Sequence, residues 1–202
     1  MVAKYLDAHS IGRFLNEIAY RFRGGGRFYL YGFAGLVLAG HREWATEVTY
    51  CVELGSEDLP LFDRIAREVG GELGIRHFRE HPGEVIPLPE GYAQRARPIE
   101  ALHRSGDQLA GPALDRLGFY HFDPYSIAFR FIARGDEQDY ELVLAMLEAG
   151  WVNEQEMERQ LQALLPRFSR RTIQQDPAEF RRKYRGLCQM WRAMGHRTGI
   201  QF

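Results

Sequence analysis

Two cysteines in 202 residues, no apolar run of membrane-spanning length and no excess of either charge set the first limits on this chain. Cys51 and Cys188 lie far apart and form neither a disulfide framework nor a CxxC knuckle, which excludes a cysteine-stapled scaffold and favours a reducing compartment. Both read as inert core thiols. The longest apolar stretch, Phe28 to Ala39, is broken by Gly32 and Gly35 and falls short of the ~20 residues a bilayer span needs. No apolar signal core with a small-residue cleavage site follows Met1, so the expectation is a cytoplasmic protein with no membrane partner. Hydrophobic residues make up 45% and charged residues 26%, which excludes intrinsic disorder and collagen-like repetition.

The balance of 26 Lys+Arg against 27 Asp+Glu conceals an asymmetry. From Glu43 to Glu90 eleven acids stand against Arg64, Arg67, Arg76 and Arg79; after Pro166 the sign reverses, with nine bases against Asp176 and Glu179. Such a tail suits nucleic acid, an acidic partner or the protein's own acidic half.

Hydrophobic periodicity predicts an amphipathic helix from Ser10, its N-cap, to Phe22, ended by Gly24-Gly25-Gly26. The aromatic run Phe28-Tyr29-Leu30-Tyr31 suits a buried strand, and Ala34 to Ala39 a tightly packed helix. Val48, Tyr50, Val52 and Leu54 alternate with Glu47, Thr49, Cys51 and Glu53, the pattern of a strand with one face buried. A helix is expected over Asp58 to Val69, stopped by Gly70-Gly71. Strands are expected at Ile75 to Phe78, Val85 to Leu88, Ile99 to Leu102 and Gly118 to Phe122. Helices follow at Tyr125 to Ala133, Gln138 to Ala149, Glu154 to Leu165 and Ala178 to Met194, with Asn153 and Glu156 forming a capping box. The fold class is therefore α+β: a small mixed β-sheet flanked by helices over residues 1–123, then a helical half over 124–202 packed on it.

Leu30-Tyr31-Gly32-Phe33-Ala34, then Gly40-His41-Arg42 and Glu47-Val48-Thr49, open a series of short motifs in fixed order. Pro87-Leu88-Pro89-Glu90-Gly91-Tyr92 with Arg95, Tyr120-His121-Phe122-Asp123-Pro124-Tyr125, and Ala133-Arg134-Gly135 with Asp139 and Val143 continue it. In that order the chain resembles the nucleotidyltransferase fold, and more narrowly the bacterial nucleotidyltransferase-like proteins related to abortive-infection toxins of toxin–antitoxin pairs. The resemblance implies a glycine turn whose amides approach nucleotide phosphates, an Asp-x-Asp pair on one strand face, and a third carboxylate on a neighbouring strand. Together these would hold divalent metal for in-line attack on an α-phosphate.

Matched residue by residue, the resemblance also implies that the motifs are degenerate. Phe33 stands where a second Gly or Ser belongs, and its ring would crowd the phosphate seat. Glu47 keeps the first carboxylate, Thr49 loses the second, Phe78 falls at the third, and Phe131 stands where related proteins tend to have a lysine. Arg134 and Asp139 are kept, and read equally as helix-surface or interhelical contacts. Gly32, Phe33 and Arg42 are the nucleotide-binding candidates.

Nothing else in the chain replaces the lost acids. Glu53 shares the strand face of Glu47 but lies about 20 Å along it. The seven histidines lack metal-ligand spacing, although His77 and His81 flank a turn. No G-x-S-x-G is present, and no Gly-Lys-Ser/Thr follows Gly24-Gly25-Gly26. The leading expectation is a binding, scaffolding or regulatory module that needs no cofactor and engages a protein partner or itself. The first alternative is an active, toxin-like nucleotidyltransferase that modifies RNA or protein using Mg²⁺, with Glu47 and a further, unplaced acid as ligands. The second is a nucleic-acid-binding module using Arg181, Arg182, Arg185 and Arg192, although Phe180, Tyr184, Leu187 and Trp191 form one apolar helical stripe among them.

Overall fold

Apolar residues at helical spacing produce α1 (Ala8–Arg21), which buries Ile11, Phe14, Leu15 and Ile18. Its N-cap is Asp7 rather than Ser10: the Asp7 carboxylate accepts the Ser10 amide at 2.8 Å, so Ser10 already sits in the first turn. The computed structural model describes residues 5–80, 83, 86–99, 116–168 and 176–198. The strand β1 (Gly26–Tyr31) leads directly into α2 (Gly32–Leu38), and β2 (Val48–Leu54) follows.

The helix α3 (Leu59–Leu73) runs through Gly70-Gly71, which were expected to stop it, and ends at Gly74 in the left-handed region (φ 64°). Two interior glycines cost about 1 kcal/mol each, a penalty that apolar burial along the same helix outweighs. A Cβ on Gly70 would lie 2.5 Å from the His77 ring, so a glycine is what lets β3 (His77–Arg79) pass this close. The short α4 (Tyr92–Arg95), β4 (Arg97–Pro98) and β5 (Leu117–His121) follow.

Two expected strands are not found as drawn. Residues 86–88 are irregular, since Pro87 and Pro89 cannot donate to a ladder, and Ile99 lies just past β4; residues 84, 85 and 100–102 lie outside the described residues. The sheet is mixed, in the order β3-β2-β1-β5-β4. The central strand β1 runs antiparallel to β2, with Tyr31 opposite Thr49, and parallel to β5, with Phe28 beside Phe119. β3 runs parallel to β2 with Phe78 beside Thr49, and β4 runs antiparallel to β5.

The chain divides into two compact units, 1–80 with 96–122 and 81–95 with 123–202, so the stretch before β4 groups with the C-terminal helices rather than with the sheet. In the first unit α1, α2 and α3 share one core with Phe28, Leu30, Val48 and Tyr50. Phe28 stacks on Tyr50 at 4.6 Å. The second unit contains α5 (Pro124–Arg134), α6 (Glu137–Glu148), α7 (Glu154–Leu164) with a 3₁₀ turn at Leu165–Arg167, and α8 (Pro177–Thr198). The reciprocal capping box falls at Asp136 and Asp139 of α6; at α7 Asn153 caps the Glu156 amide, while the Glu156 carboxylate binds Arg159 and Gln160 instead of reaching back. No helix of the described residues is long and apolar enough to cross a membrane.

What fastens the stretch before β4 to the helices is Asp123, which is 0% exposed. Its carboxylate receives Arg95 in a forked pair (2.6 and 2.9 Å), the Ser126 hydroxyl (2.6 Å) and the amides of Tyr125 and Ser126. Arg95 donates its remaining fork to the Glu90 carbonyl at 2.7 Å. Replacing Asp123 with Ala strands Arg95 and uncaps α5, and should lower the unfolding free energy by about 3–5 kcal/mol in urea titration.

Burial also governs two histidines. His121, at the end of β5, is pushed down to about 4, with the Arg97 charge adding to the effect, and His77, in the aromatic cluster with Tyr50 and Phe14, is lowered for the same main reason. Because the folded-state value lies below the ordinary 6.5, the unfolded chain takes up the proton first. Stability is thus full above pH 6.5 and falls as pH drops from there toward 4, by about 3 kcal/mol for His121. Denaturant titrations across that range should show the fall, and His121→Gln should flatten it.

Candidate functional site

The junction of β1 and α2 demands a residue that tolerates positive φ, and Gly32 supplies it at φ 70°. A Cβ built there would lie 3.7 Å from both Cβ and Oγ1 of Thr49, so Thr49 is the side chain facing this turn. Phe78 is its register neighbour on β3 and is 44% exposed. Thr49 thus lies beside the Gly32 turn, with Phe78 next to it across the β2–β3 ladder.

Phe33 projects from the first turn of α2, packed partly against the core. The Arg42 guanidinium lies 4.0 Å over its ring and 5.0 Å from the Trp44 ring, and the Arg42 Nε donates to the Trp44 carbonyl at 3.0 Å. Trp44 in turn meets Tyr5 edge-on at 4.4 Å. Arg42 is thus held against aromatic faces beside the start of α2.

Each acid along this part of the sheet has a partner. Glu47, just ahead of β2, faces Arg76 at 3.5 Å, and Arg76 lies 5.6 Å over the Phe78 ring. Glu53 accepts the Tyr29 hydroxyl at 2.8 Å and Glu80 that of Tyr31 at 3.1 Å. Burial, with the Glu53 carboxylate assisting, pushes Tyr29 up to about 12, which keeps it a donor. Asp63 takes Arg79 at 2.9 Å. Among the described residues no group of three or more His, Cys, Asp and Glu side chains is placed to hold a metal ion. His81 lies outside the described residues, and His77 faces Tyr50 at 3.3 Å.

The remaining candidates belong to the second unit. Phe131 is buried in α5, and Arg134 Nε meets Asp139 Oδ2 at 3.2 Å, an interhelical contact. On α8, Phe180, Tyr184 and Leu187 are buried and Trp191 is half-buried, so the stripe is core up to its last residue. Arg192 pairs with Glu154, while Arg181, Arg182 and Arg185 are exposed. Sequence reasoning missed Arg76, Trp44 and Tyr5; the spacing Arg42-x-Trp44, which brings the two side chains together across a turn, is the one local signal for any of them. No protein-family model, curated protein or solved structure matches the chain.

A double-mutant cycle between Arg42→Ala and Phe33→Ala should give a coupling of about 0.5–1 kcal/mol in urea denaturation, the worth of a partly exposed cation over a ring. No coupling would mean that the stack does not hold this turn.

Proposed function

We propose that this chain is a nucleotidyltransferase-like protein with a degenerate metal site, working as a binding, scaffolding or regulatory module. The resemblance of its motifs points to a defence or toxin–antitoxin setting. What carries the reading is Thr49: a neutral side chain, 8% exposed, packs beside the Gly32 turn at the position where the resemblance calls for a metal-binding carboxylate. The order of β1, positive-φ glycine, α2 and β2 supports the likeness, as does a bulky Phe33, stacked under Arg42, directly after the glycine. Glu47, the one retained acid, is balanced by Arg76.

An active enzyme would need two carboxylates within about 4–6 Å of one another beside Gly32 to bind a shared metal cluster. Thr49 takes the place of one of them. Incubation of the protein with each labelled nucleoside triphosphate, Mg²⁺ or Mn²⁺, and RNA or protein acceptors should transfer no label. Turnover that vanishes in Glu47→Ala would overturn the proposal.

A further inference from the structure

The helical phase of α8 sorts its basic residues. Lys183 turns inward, where its Nζ donates to the carbonyls of Ala133 (2.6 Å) and Arg134 (3.1 Å) at the end of α5 and meets Glu179 at 3.2 Å. Arg192 is committed to Glu154. Arg181 and Arg185, one turn apart, have no ion-pair partner among the described residues and line a groove of about 630 Å³. Its other walls are Leu165 and Pro166 of the 3₁₀ turn, Pro177 and Ala178 at the start of α8, Gln162 and Asp176. The one acid there is already engaged, since Asp176 accepts the Ala178 amide at 3.0 Å. Gln162 uses its amide nitrogen on Glu158 at 2.7 Å.

We propose that this groove docks an extended acidic peptide of a partner protein, with Arg181 and Arg185 reading two of its carboxylates. Charge complementarity argues for an anion, and the leucine, proline and alanine surfaces argue for aliphatic contact beside it. The spacing fits a strand: four residues of helix advance about 6 Å, close to the ~6.6 Å between alternate residues of an extended chain. Nucleic acid is the weaker fit. No aromatic ring lines the groove, and Phe180 and Tyr184, the rings nearest in sequence, are buried against Phe129 and unavailable for base stacking. This inference is independent of the nucleotidyltransferase-like reading and stands or falls separately from it.

Fluorescence anisotropy of the full chain at low ionic strength, with a labelled peptide carrying glutamates at alternate positions among serine and leucine, provides the test. Arg181→Gln and Arg185→Gln should each weaken binding roughly tenfold, the worth of one charge-assisted contact, whereas Arg182→Gln, on the same helix but outside the groove, should leave it unchanged. A peptide of equal composition with its glutamates massed at one end should bind less tightly. Absence of binding, equal losses in all three variants, or displacement of the peptide by a tighter-binding oligothymidylate would each overturn the proposal.

Discussion

The sheet depends on a central strand, β1, whose side chains are buried on both of its faces. Phe28 and Leu30 go into the helix-covered core, while Tyr29 and Tyr31 point the other way and are each 1% exposed. Two buried phenols must find acceptors, because a hydroxyl taken from water without a partner costs about 1–3 kcal/mol. Glu53 of β2 and Glu80, just past the end of β3, meet that need. The consequence reaches the site. Carboxylates are distributed along the sheet, Glu53 and Glu80 answering the two phenols and Glu47 and Asp63 the guanidinium groups of Arg76 and Arg79.

The second unit solves a comparable problem with a charge. Asp123 is wholly buried, a position that is strongly unfavourable for a carboxylate unless both oxygens are saturated. Its two oxygens receive the forked Arg95 guanidinium, one hydroxyl and the first free amides of α5. One residue thereby caps a helix and anchors a stretch that is distant in sequence. This accounts for the discontinuous composition of the unit, which a boundary drawn at residue 123 by composition misses. Proline-rich segments such as 86–89 form no ladder, so burial of Ile86 and side-chain contacts of this kind hold them in place; Arg167, donating to the Leu88 carbonyl at 2.8 Å, supplies another.

Much of the fold was legible because it follows from periodicity. The alternation through Val48–Leu54 specified β2 but not its burial, since Thr49 and Cys51 on the face expected to be open are buried along with Val48 and Tyr50; the spacing of Ile11, Phe14, Leu15 and Ile18 specified α1. Errors clustered where a non-local contact overrides a local preference. Gly70-Gly71 reads as a stop, yet the approach of His77 makes a glycine necessary inside the helix. Asn153 with Glu156 reads as a capping box, yet Arg159 offers Glu156 a stronger, charged partner. At the site, the resemblance singled out Gly32, Thr49 and Phe78, but the contacts that set Thr49 beside Gly32 and Phe78 beside Thr49 are non-local. So is the pairing of Arg76 with Glu47, residues just ahead of β3 and β2, whose parallel register no local pattern announces.

The basic tail shows how far composition and structure can diverge. Read as a list, its arginines and aromatic rings resemble a surface for single-stranded nucleic acid, where stacking and phosphate neutralisation act together. Folding separates the two halves of that chemistry. With 3.6 residues per turn, Phe180, Tyr184 and Leu187 share the inward face, and Lys183 beside them reaches the carbonyl end of α5 rather than solvent. What stays fully outside is charge, with Trp191 half-buried at the far end of the stripe. Charge alone is screened over about 8–10 Å at physiological salt, so it can select a ligand only where a shaped surface brings the partner close. On α8 the proposed site lies along the turn from Arg181 to Arg185, where a groove coincides with two guanidinium groups that have no ion-pair partner among the described residues, whereas the charge of Arg192 is answered by Glu154.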